Sequence, residues 1–183
     1  MTIHPLSDVK SKSIGEGTTI WQFVVILEGA VIGKNCNINC NTFIENDVVL
    51  GNNVTIKTGA NIWDAIHIED DVFVGPGVVF ATDPYPRNKQ RVKYPRTLVK
   101  KGASLGSNTT ILPGLTIGSY AMTGAASVVT KDVPDYALVY GNPAKWHAWI
   151  DETGKKLKLV EPCLWISESG SRFREVNKTL IKL

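Results

Sequence analysis

Aliphatic side chains recur at every sixth position along most of this chain. The series begins at Ile14, runs without a break to Val74 and is continued in phase by Phe80. It resumes at Val99 and ends at Val129, which makes eighteen six-residue repeats. A period of six matches neither the 3.6-residue period of an amphipathic helix nor the two-residue alternation of an isolated strand. The pattern therefore predicts a repeat protein.

A small or β-branched residue stands four positions after most of these aliphatic residues, as at Val24, Ala30 and Cys36. Both features fit a solenoid whose coil has three short strands, each directing one aliphatic side chain into a triangular interior. Eighteen residues then make one coil, and six coils stack to about 29 Å at the usual strand spacing of about 4.8 Å. Asparagine tolerates the positive φ of tight corners. The residues predicted for corners are Asn35, Asn46, Asn52, Asn53 and Asn108.

The repeat is interrupted between about residues 84 and 98, which read PYPRNKQRVKYPRTL. Three prolines stiffen this segment, and its basic residues are Arg87, Lys89, Arg91, Lys93 and Arg96. Long connections without their own secondary structure are usually functional. We expect a loop that reaches over a neighbouring subunit and meets an anionic substrate. The alternative is an ordinary surface loop whose basic side chains are solvated and have no binding role.

Two acidic residues are predicted beside this loop. Counting back by the length of one coil puts Asp64 beneath Thr82 and Ala65 beneath Asp83, so the two carboxylates lie one coil apart on one edge. Trp63 is too large for the interior of a corner and should project outward. An outward indole, two acids and a basic loop together predict a site for a sugar that carries phosphate groups. A chance cluster of surface acids is the alternative.

Several stretches resemble the hexapeptide-repeat acyltransferases, and among them the subgroup that acylates the 3-amino group of nucleotide-linked sugars. They are FIENDVVLGNNVTIKTGANIW, EDDVFVGPGVVF, the TDPYPR run and TLVKKGASLGSNTTILPGLTIGSYAMTGAASVVTKDVPDYALVYGNPAK. The resemblance covers nearly the whole chain. Members typically carry an Asn-Asp pair before the loop, and this chain has Thr82 where asparagine is usual.

The resemblance implies an all-β fold in two parts. Residues 1–145 are expected to form a left-handed parallel β-helix with a protruding loop at about 84–98, and residues 146–183 a C-terminal tail with short strands in hairpins. It also implies an acetyl-CoA-dependent N-acetyltransferase of surface polysaccharide biosynthesis, such as that of lipopolysaccharide O-antigen, acting as a homotrimer on a dTDP- or UDP-linked amino sugar.

N-acylation needs an unprotonated amine held against the thioester carbonyl of acetyl-CoA. A carboxylate of ordinary pKa is a poor base for an amine, so Asp64 and Asp83 are expected to hold and aim the amine. The other residues predicted to contact the sugar substrate are Trp63, His67, Phe80, Thr82, Tyr85 and Arg87.

Acetyl-CoA is expected beside the C-terminal coils, in a groove between subunits. Gly102 and Gly114 would permit close approach of the pantetheine arm, and Lys131 and Lys145 would meet the phosphates. Each lysine has the alternative of an ordinary solvated charge.

Two other functions stay open. An O-acetyltransferase of this fold would use a histidine base, and His67, one coil below Tyr85 by count, is the candidate. The second alternative is a non-catalytic solenoid that serves only in protein assembly. Only His67 of the three histidines lies in the repeats, so a three-histidine zinc site is not expected, nor any other metal.

The composition of the chain narrows the classes of protein to which it can belong. A chain of 183 residues with 43% hydrophobic and 20% charged residues fits one globular domain. A formal charge of +3 is too small to predict nucleic-acid binding. The sequence contains neither an apolar run long enough for a membrane span nor a secretion signal. We therefore expect a cytoplasmic protein whose three cysteines are free thiols.

Overall fold

Short strands form three sheets, which are the three faces of a triangular solenoid and are parallel except for the last strand of the first sheet. The computed structural model describes residues 1–90 and 92–183. Sheet A contains β1 (Thr2–Ile3), β4 (Thr19–Ile20), β7 (Asn37–Ile38), β10 (Thr55–Ile56), β13 (Phe73–Val74), β16 (Ser104–Leu105), β19 (Met122–Thr123), β21 (Ala137–Gly141) and β22 (Ala144–Trp149). Sheet B contains β2 (Asp8–Val9), β5 (Val25–Ile26), β8 (Phe43–Ile44), β11 (Asn61–Ile62), β14 (Val79–Phe80), β17 (Thr110–Ile111) and β20 (Val128–Val129). Sheet C contains β3 (Ser13–Ile14), β6 (Val31–Ile32), β9 (Val49–Leu50), β12 (Ile66–Ile68), β15 (Thr97–Val99) and β18 (Thr116–Ile117).

The predicted length of the coil is confirmed by the strand register. Thr19, Asn37 and Thr55 pair in succession across sheet A, each 18 positions after the last. The solenoid is longer than the six predicted coils, because sheet A contains eight parallel strands from β1 to β21. The first coil is one residue short, since Ile3 pairs with Ile20. Because of that shift of phase, the first coil does not follow the six-residue pattern from which the coils were predicted.

The interior consists of the aliphatic and small positions that the repeat predicted. Ile26, Ile62 and Val24 are fully buried, and burying each such side chain contributes about 1.5–3 kcal/mol. The polar position in the series, Thr123, is also fully buried. Its hydroxyl lies 3.1 Å from the hydroxyl of Thr109. The two hydroxyl groups therefore form a hydrogen bond with each other inside the core.

The corner asparagines divide into two kinds. Asn35, Asn53 and Asn108 have the predicted positive φ. Asn46 and Asn52 do not. Their side chains instead link neighbouring coils, as where the Gly29 N–H donates to Asn46 Oδ1 over 3.1 Å. Side-chain acceptors for backbone N–H groups are therefore a recurring device at the corners.

The C-terminal end of the solenoid is closed by further antiparallel strands. Strand β22 pairs with β21 as a hairpin, and it crosses the expected boundary between residues 145 and 146. The tail is a four-stranded antiparallel sheet, larger than the expected hairpins, made of β23 (Lys158–Glu161), β24 (Leu164–Ile166), β25 (Arg172–Val176) and β26 (Thr179–Lys182). Glu175 Oε2 accepts hydrogen bonds from the indoles of Trp149 and Trp165, each over 3.0 Å, and so ties this sheet to the solenoid. No helix long and apolar enough to cross a membrane occurs in the part of the chain that the structure describes.

Candidate active site

The loop leaves the solenoid at the corner between sheets B and C, which we call the loop edge and which is formed by residues 45–47, 63–65 and 81–83. Strand β14 ends at Phe80 and β15 begins at Thr97, so the loop spans residues 81–96 and Thr97 and Leu98 lie outside it. Phe80 pairs with Ile111, which is 31 positions later rather than 18. The loop therefore lengthens one coil without disturbing the stacking above it.

Asp64 is held on the loop edge by backbone hydrogen bonds. Its Oδ1 accepts from the backbone N–H of Asp47 over 2.8 Å. Its own N–H donates to Glu45 Oε2 over 2.7 Å. These two bonds join consecutive coils and leave Oδ2 of Asp64 without a protein donor among the described residues.

Asp83 is the third residue of the loop. Its Oδ1 accepts from the N–H of Tyr85 over 2.8 Å, a local turn that diverts the chain from the coil. Asn61 pairs with Val79, so three positions later Asp64 lies beside Thr82 in the next coil. Both acids are half-buried, and no hydrogen bond joins them within residues 1–90 and 92–183.

Trp63 and Phe80 differ in what they can offer a ligand. Trp63 is half-buried, and its ring lies 5.4 Å from the ring of Phe43, at an angle of 50°. Phe80 is 1% exposed. The inclusion of Phe80 among the substrate contacts was wrong, because its place in the six-residue series points it into the core.

The expected position of His67 was also wrong. His67 lies in the middle of β12 and pairs with Val49 on one side and Leu98 on the other. Counting forward by one regular coil had put it beneath Tyr85, but the inserted loop carries Tyr85 away from the coil. The Tyr85 side chain is 79% exposed.

The two limbs of the loop make different contacts. In the outgoing limb Arg87 is exposed, and its Nη1 donates to the carbonyl of Pro86 over 2.8 Å. Arg91, one of the predicted basic residues, lies outside the described residues. The returning limb, residues 93–96, forms a half-open cavity of about 400 Å³ with the loop edge, lined by Asp47, Ala65, Lys93, Tyr94, Pro95 and Arg96. Asp47 was missed by the sequence analysis, although counting back one further coil from Ala65 leads to it.

The four residues expected to bind acetyl-CoA do not all lie together within one chain. Lys131 and Lys145 line one cleft of about 350 Å³, together with Val129, Thr130, Asp132, Val133, Pro134, Val139, Pro143, Ala144 and Trp146. Lys131 also lies on the same corner as Asp64, three coils further along.

The two glycines have local packing roles. Gly114 has φ +74°, and a Cβ there would lie 3.0 Å from Pro95 of the returning limb. Gly102 has φ +69° and faces the ring of Tyr120, on the corner between sheets C and A. Gly102 is therefore remote from the cleft that contains Lys131.

No cluster of three or more His, Cys, Asp or Glu side chains suited to a metal ion occurs in the described parts of the chain.

Comparison with known proteins agrees with this architecture. A family model described as bacterial transferase hexapeptide (six repeats) matches residues 11–46. A dTDP-3-amino-3,6-dideoxy-alpha-D-galactopyranose 3-N-acetyltransferase from Aneurinibacillus thermoaerophilus is 51% identical over 173 residues, covering 94% of this chain and 90% of that protein. The solved structure of a maltose O-acetyltransferase from Clostridium difficile is 29% identical with a TM-score of 0.60, covering 67% of this chain and 70% of that one. A hexapeptide-repeat acetyltransferase from Vibrio cholerae, complexed with acetyl coenzyme A, shares the fold at 22% identity and a TM-score of 0.53, covering 74% and 72% of the two chains. Since the Aneurinibacillus relative shares half of its residues with nearly the whole of this sequence, the chain belongs to the hexapeptide-repeat transferase family.

Proposed function

We propose that this protein transfers the acetyl group of acetyl-CoA to the 3-amino group of a dTDP-linked 3-amino-3,6-dideoxyhexose. The observation that carries the proposal is the 51% identity, over 94% of the chain, to an enzyme with that activity. The same identity favours the dTDP-linked sugar over the UDP-linked one. A role in surface polysaccharide biosynthesis and a cytoplasmic location remain predictions that accompany this activity.

The reaction forms one bond and breaks another. The lone pair of the sugar's amine attacks the thioester carbonyl carbon, the C–S bond breaks, and CoA leaves as its thiol after taking up the proton that the nitrogen loses. An amine with its lone pair free is already a strong nucleophile, so the protein's main task is to position it. Backbone N–H groups at the corners are suited to stabilise the developing oxyanion.

Asp64 and Asp83 are proposed to position the amine. The hydrogen bond from the Asp47 N–H fixes Oδ1 of Asp64 and leaves its second oxygen to accept from an amine N–H. Asp83 is similarly committed through Oδ1 to Tyr85. A hydrogen bond that requires no reorganisation of its protein partner is the more effective in orienting a nucleophile. Trp63, Thr82, Tyr85 and Arg87 remain proposed contacts of the sugar nucleotide.

Acetyl-CoA is proposed to bind along the same corner. The cleft that contains Lys131 and Lys145 has mostly apolar walls, which suits the pantetheine arm, and two ammonium groups, which suit the phosphates. Three strand spacings separate Lys131 from Asp64 along the corner, or about 14 Å. An extended pantetheine arm can span such a distance and bring the thioester to the acids.

We also propose that the enzyme is a homotrimer whose active sites lie between subunits. Gly102 and Asp64 lie on different corners of the chain, so a cleft shared between two copies is the arrangement that would unite them. Three flat faces suit packing around a threefold axis. Light scattering tests this directly, since a trimer has three times the 20.0 kDa mass of the chain, and a fully active monomer would contradict it.

The O-acetyltransferase alternative has lost its geometric basis. It depended on a histidine base beneath Tyr85, whereas His67 is flanked by Val49 and Leu98. The alternative of a purely structural solenoid is disfavoured by the 51% identity to an enzyme.

The proposed function is tested by an acetyl-CoA turnover assay on a small panel of nucleotide sugars. The panel contains the dTDP-linked 3-amino-3,6-dideoxy sugars of galacto and gluco configuration, a UDP-linked 3-amino glucuronate and the 3-hydroxy analogue of the best substrate. Release of the CoA thiol is followed, and the product is identified by mass. We expect turnover of a dTDP-linked amine and none of the hydroxyl analogue. Preferential turnover of the hydroxyl analogue would overturn the proposal.

A further inference from the structure

The cavity beneath the returning limb of the loop has no role in the reaction as described above. It measures about 400 Å³ and lies between loop residues Lys93–Arg96 and two residues of the loop edge, Asp47 and Ala65. Clefts that bind small molecules typically measure about 300–1,000 Å³. The cavity is therefore large enough for part of a substrate, and it adjoins Asp64 through the hydrogen bond between Asp64 Oδ1 and the Asp47 N–H.

The returning limb, which forms one wall of this cavity, is anchored to the solenoid where the limb ends. Thr97 is 1% exposed, and its N–H donates to the carbonyl of Ala65 over 3.0 Å. The N–H of Gly114 donates to Thr97 Oγ1 over 3.0 Å. Pro95 has a restricted φ and lies against Gly114. Two coils thus hold the limb before any ligand arrives, which limits the ordering cost of binding.

The charges in the cavity favour an anion. Lys93 and Arg96 are exposed, and neither forms an ion pair with the rest of the described chain. Among the described residues, Asp47 is the single acid in the lining. A guanidinium binds phosphate oxygens in a bidentate manner, and an ammonium serves as a compact point charge. Between them they can meet both phosphates of a diphosphate.

Tyr94 stands between these two cations in the sequence and is 39% exposed. A partly exposed tyrosine ring offers an apolar face and a polar tip. Such a ring can pack on a nucleoside base or a sugar, since stacking on an aromatic side chain accommodates any base. The cavity therefore combines two cations with one aromatic surface, a set of groups suited to a nucleoside diphosphate.

We propose that this cavity binds the diphosphate of the nucleotide-linked sugar, through Lys93 and Arg96, with Tyr94 packed on the nucleoside. This inference rests on the proposed function, because it assigns the anionic half of that substrate while Asp64 holds its amine. It also separates the two limbs of the loop: the returning limb binds phosphate, and Lys89 of the outgoing limb is outside the cavity lining.

The test measures the binding of dTDP by calorimetry to the wild-type protein and to a Lys93→Gln, Arg96→Gln double variant. Because charge-assisted hydrogen bonds are lost from both cations, we expect the affinity for dTDP to fall at least tenfold and up to about a hundredfold. Thymidine, which has no phosphate, should bind both proteins equally. Lys89→Gln is the matched control, and Lys93→Arg should retain affinity. Equal melting temperatures exclude misfolding, and KM for the sugar nucleotide should rise more than kcat falls.

The possible results separate this inference from the proposed function. Unchanged dTDP affinity in the double variant, or no dTDP binding by the wild type, overturns the assignment even if the enzyme acetylates the amino sugar. Loss of CoA affinity with retained dTDP affinity also overturns it, because the diphosphate in question would then be that of the donor. If the double variant loses dTDP affinity while no amino sugar in the panel is acetylated, the cavity stands and the proposed activity fails.

Discussion

Asp64 accepts a hydrogen bond from the backbone N–H of Asp47, which lies in the preceding coil, over 2.8 Å. Asn46 makes the equivalent bond one coil earlier, from the N–H of Gly29. Asp64 therefore has a structural role, the acceptance of a backbone hydrogen bond, that an asparagine can also fill. This distinction between the side chain's oxygen and its charge allows the two roles of Asp64 to be measured separately.

Asp64→Asn should retain the bond to Asp47 and remove only the charge. We expect an unchanged melting temperature and a lower kcat/KM for the amino sugar. Asp64→Ala removes the acceptor as well, and the loss of one hydrogen bond should lower stability by about 1 kcal/mol, or about 3 °C in melting temperature for a chain of this size. Calorimetry and steady-state kinetics measure both. Full activity in Asp64→Asn would leave Asp64 with its structural duty alone.

Asp83 is predicted to share the amine with Asp64. Changing Asp83 to Asn keeps its shape, so KM for the amino sugar should rise more than kcat falls. If both acids hold one partner, the cost of the Asp64→Asn, Asp83→Asn double variant should differ from the sum of the single costs. A double-mutant cycle on kcat/KM measures this coupling. A double variant as active as the wild type would make both acids ordinary corner residues.

His67 should be dispensable, because an amine nucleophile needs no strong base. We expect His67→Asn to keep most of the activity toward the amino sugar. Its position between Val49 and Leu98 on the outer side of sheet C allows the change without disturbing the core. Steady-state kinetics provide the measurement. A thousandfold loss of kcat, about 4 kcal/mol in barrier height, would instead identify His67 as a base and restore the O-acetyltransferase interpretation.

The core of the solenoid was predictable because its rule is local. Whether Ile62 or Val24 points inward depends only on its place in a six-residue repeat. The same rule also predicts that Phe80 is buried, which is incompatible with a contact between Phe80 and the substrate. Asp64 and Asp83 could be brought to one edge because the coil between them has the regular length.

Positions after the loop could not be obtained by counting. The insertion changes the separation between stacked residues from 18 to 31, so His67 meets Leu98 instead of Tyr85. The returning limb posed a second difficulty, since the cavity that it lines with Asp47 and Ala65 is shaped by irregular backbone that no period describes. The sequence shows that Lys93 and Arg96 are basic, whereas only the folded chain shows that they line one cavity with Asp47.

The alkaline stability of the protein should depend on Tyr136. Burial raises the pKa of Tyr136 to about 12, and the negative charge of Glu152 acts in the same direction. The unfolded chain ionises this hydroxyl near pH 10. Between about pH 10 and 12 the unfolded state therefore loses a proton that the folded state keeps, and stability falls as pH rises. Tyr136→Phe should show a smaller fall over this range in denaturant unfolding. Identical pH profiles for the two proteins would contradict the shift.

Gly114 should control the position of the returning limb. Its φ of +74° is strained for an L residue, and an added Cβ would lie 3.0 Å from Pro95. Alanine at this position incurs both the backbone strain and the contact with the limb. We expect Gly114→Ala to destabilise the protein by more than about 1 kcal/mol and to raise KM for the sugar nucleotide, because Pro95 belongs to the lining of the cavity.

The matched control for Gly114→Ala is Gly59→Ala. Gly59 has nearly the same φ, +72°, and an added Cβ there has no neighbour within 4 Å among the described residues. Gly59→Ala therefore measures the backbone strain alone, and the difference between the two variants isolates the contact with Pro95. Unfolding in urea and steady-state kinetics are measured for both. We expect Gly59→Ala to lose stability with an unchanged KM. If Gly114→Ala also kept the wild-type KM, the returning limb would be able to move without affecting the substrate, and the loop would have to bind its ligand through the outgoing limb instead.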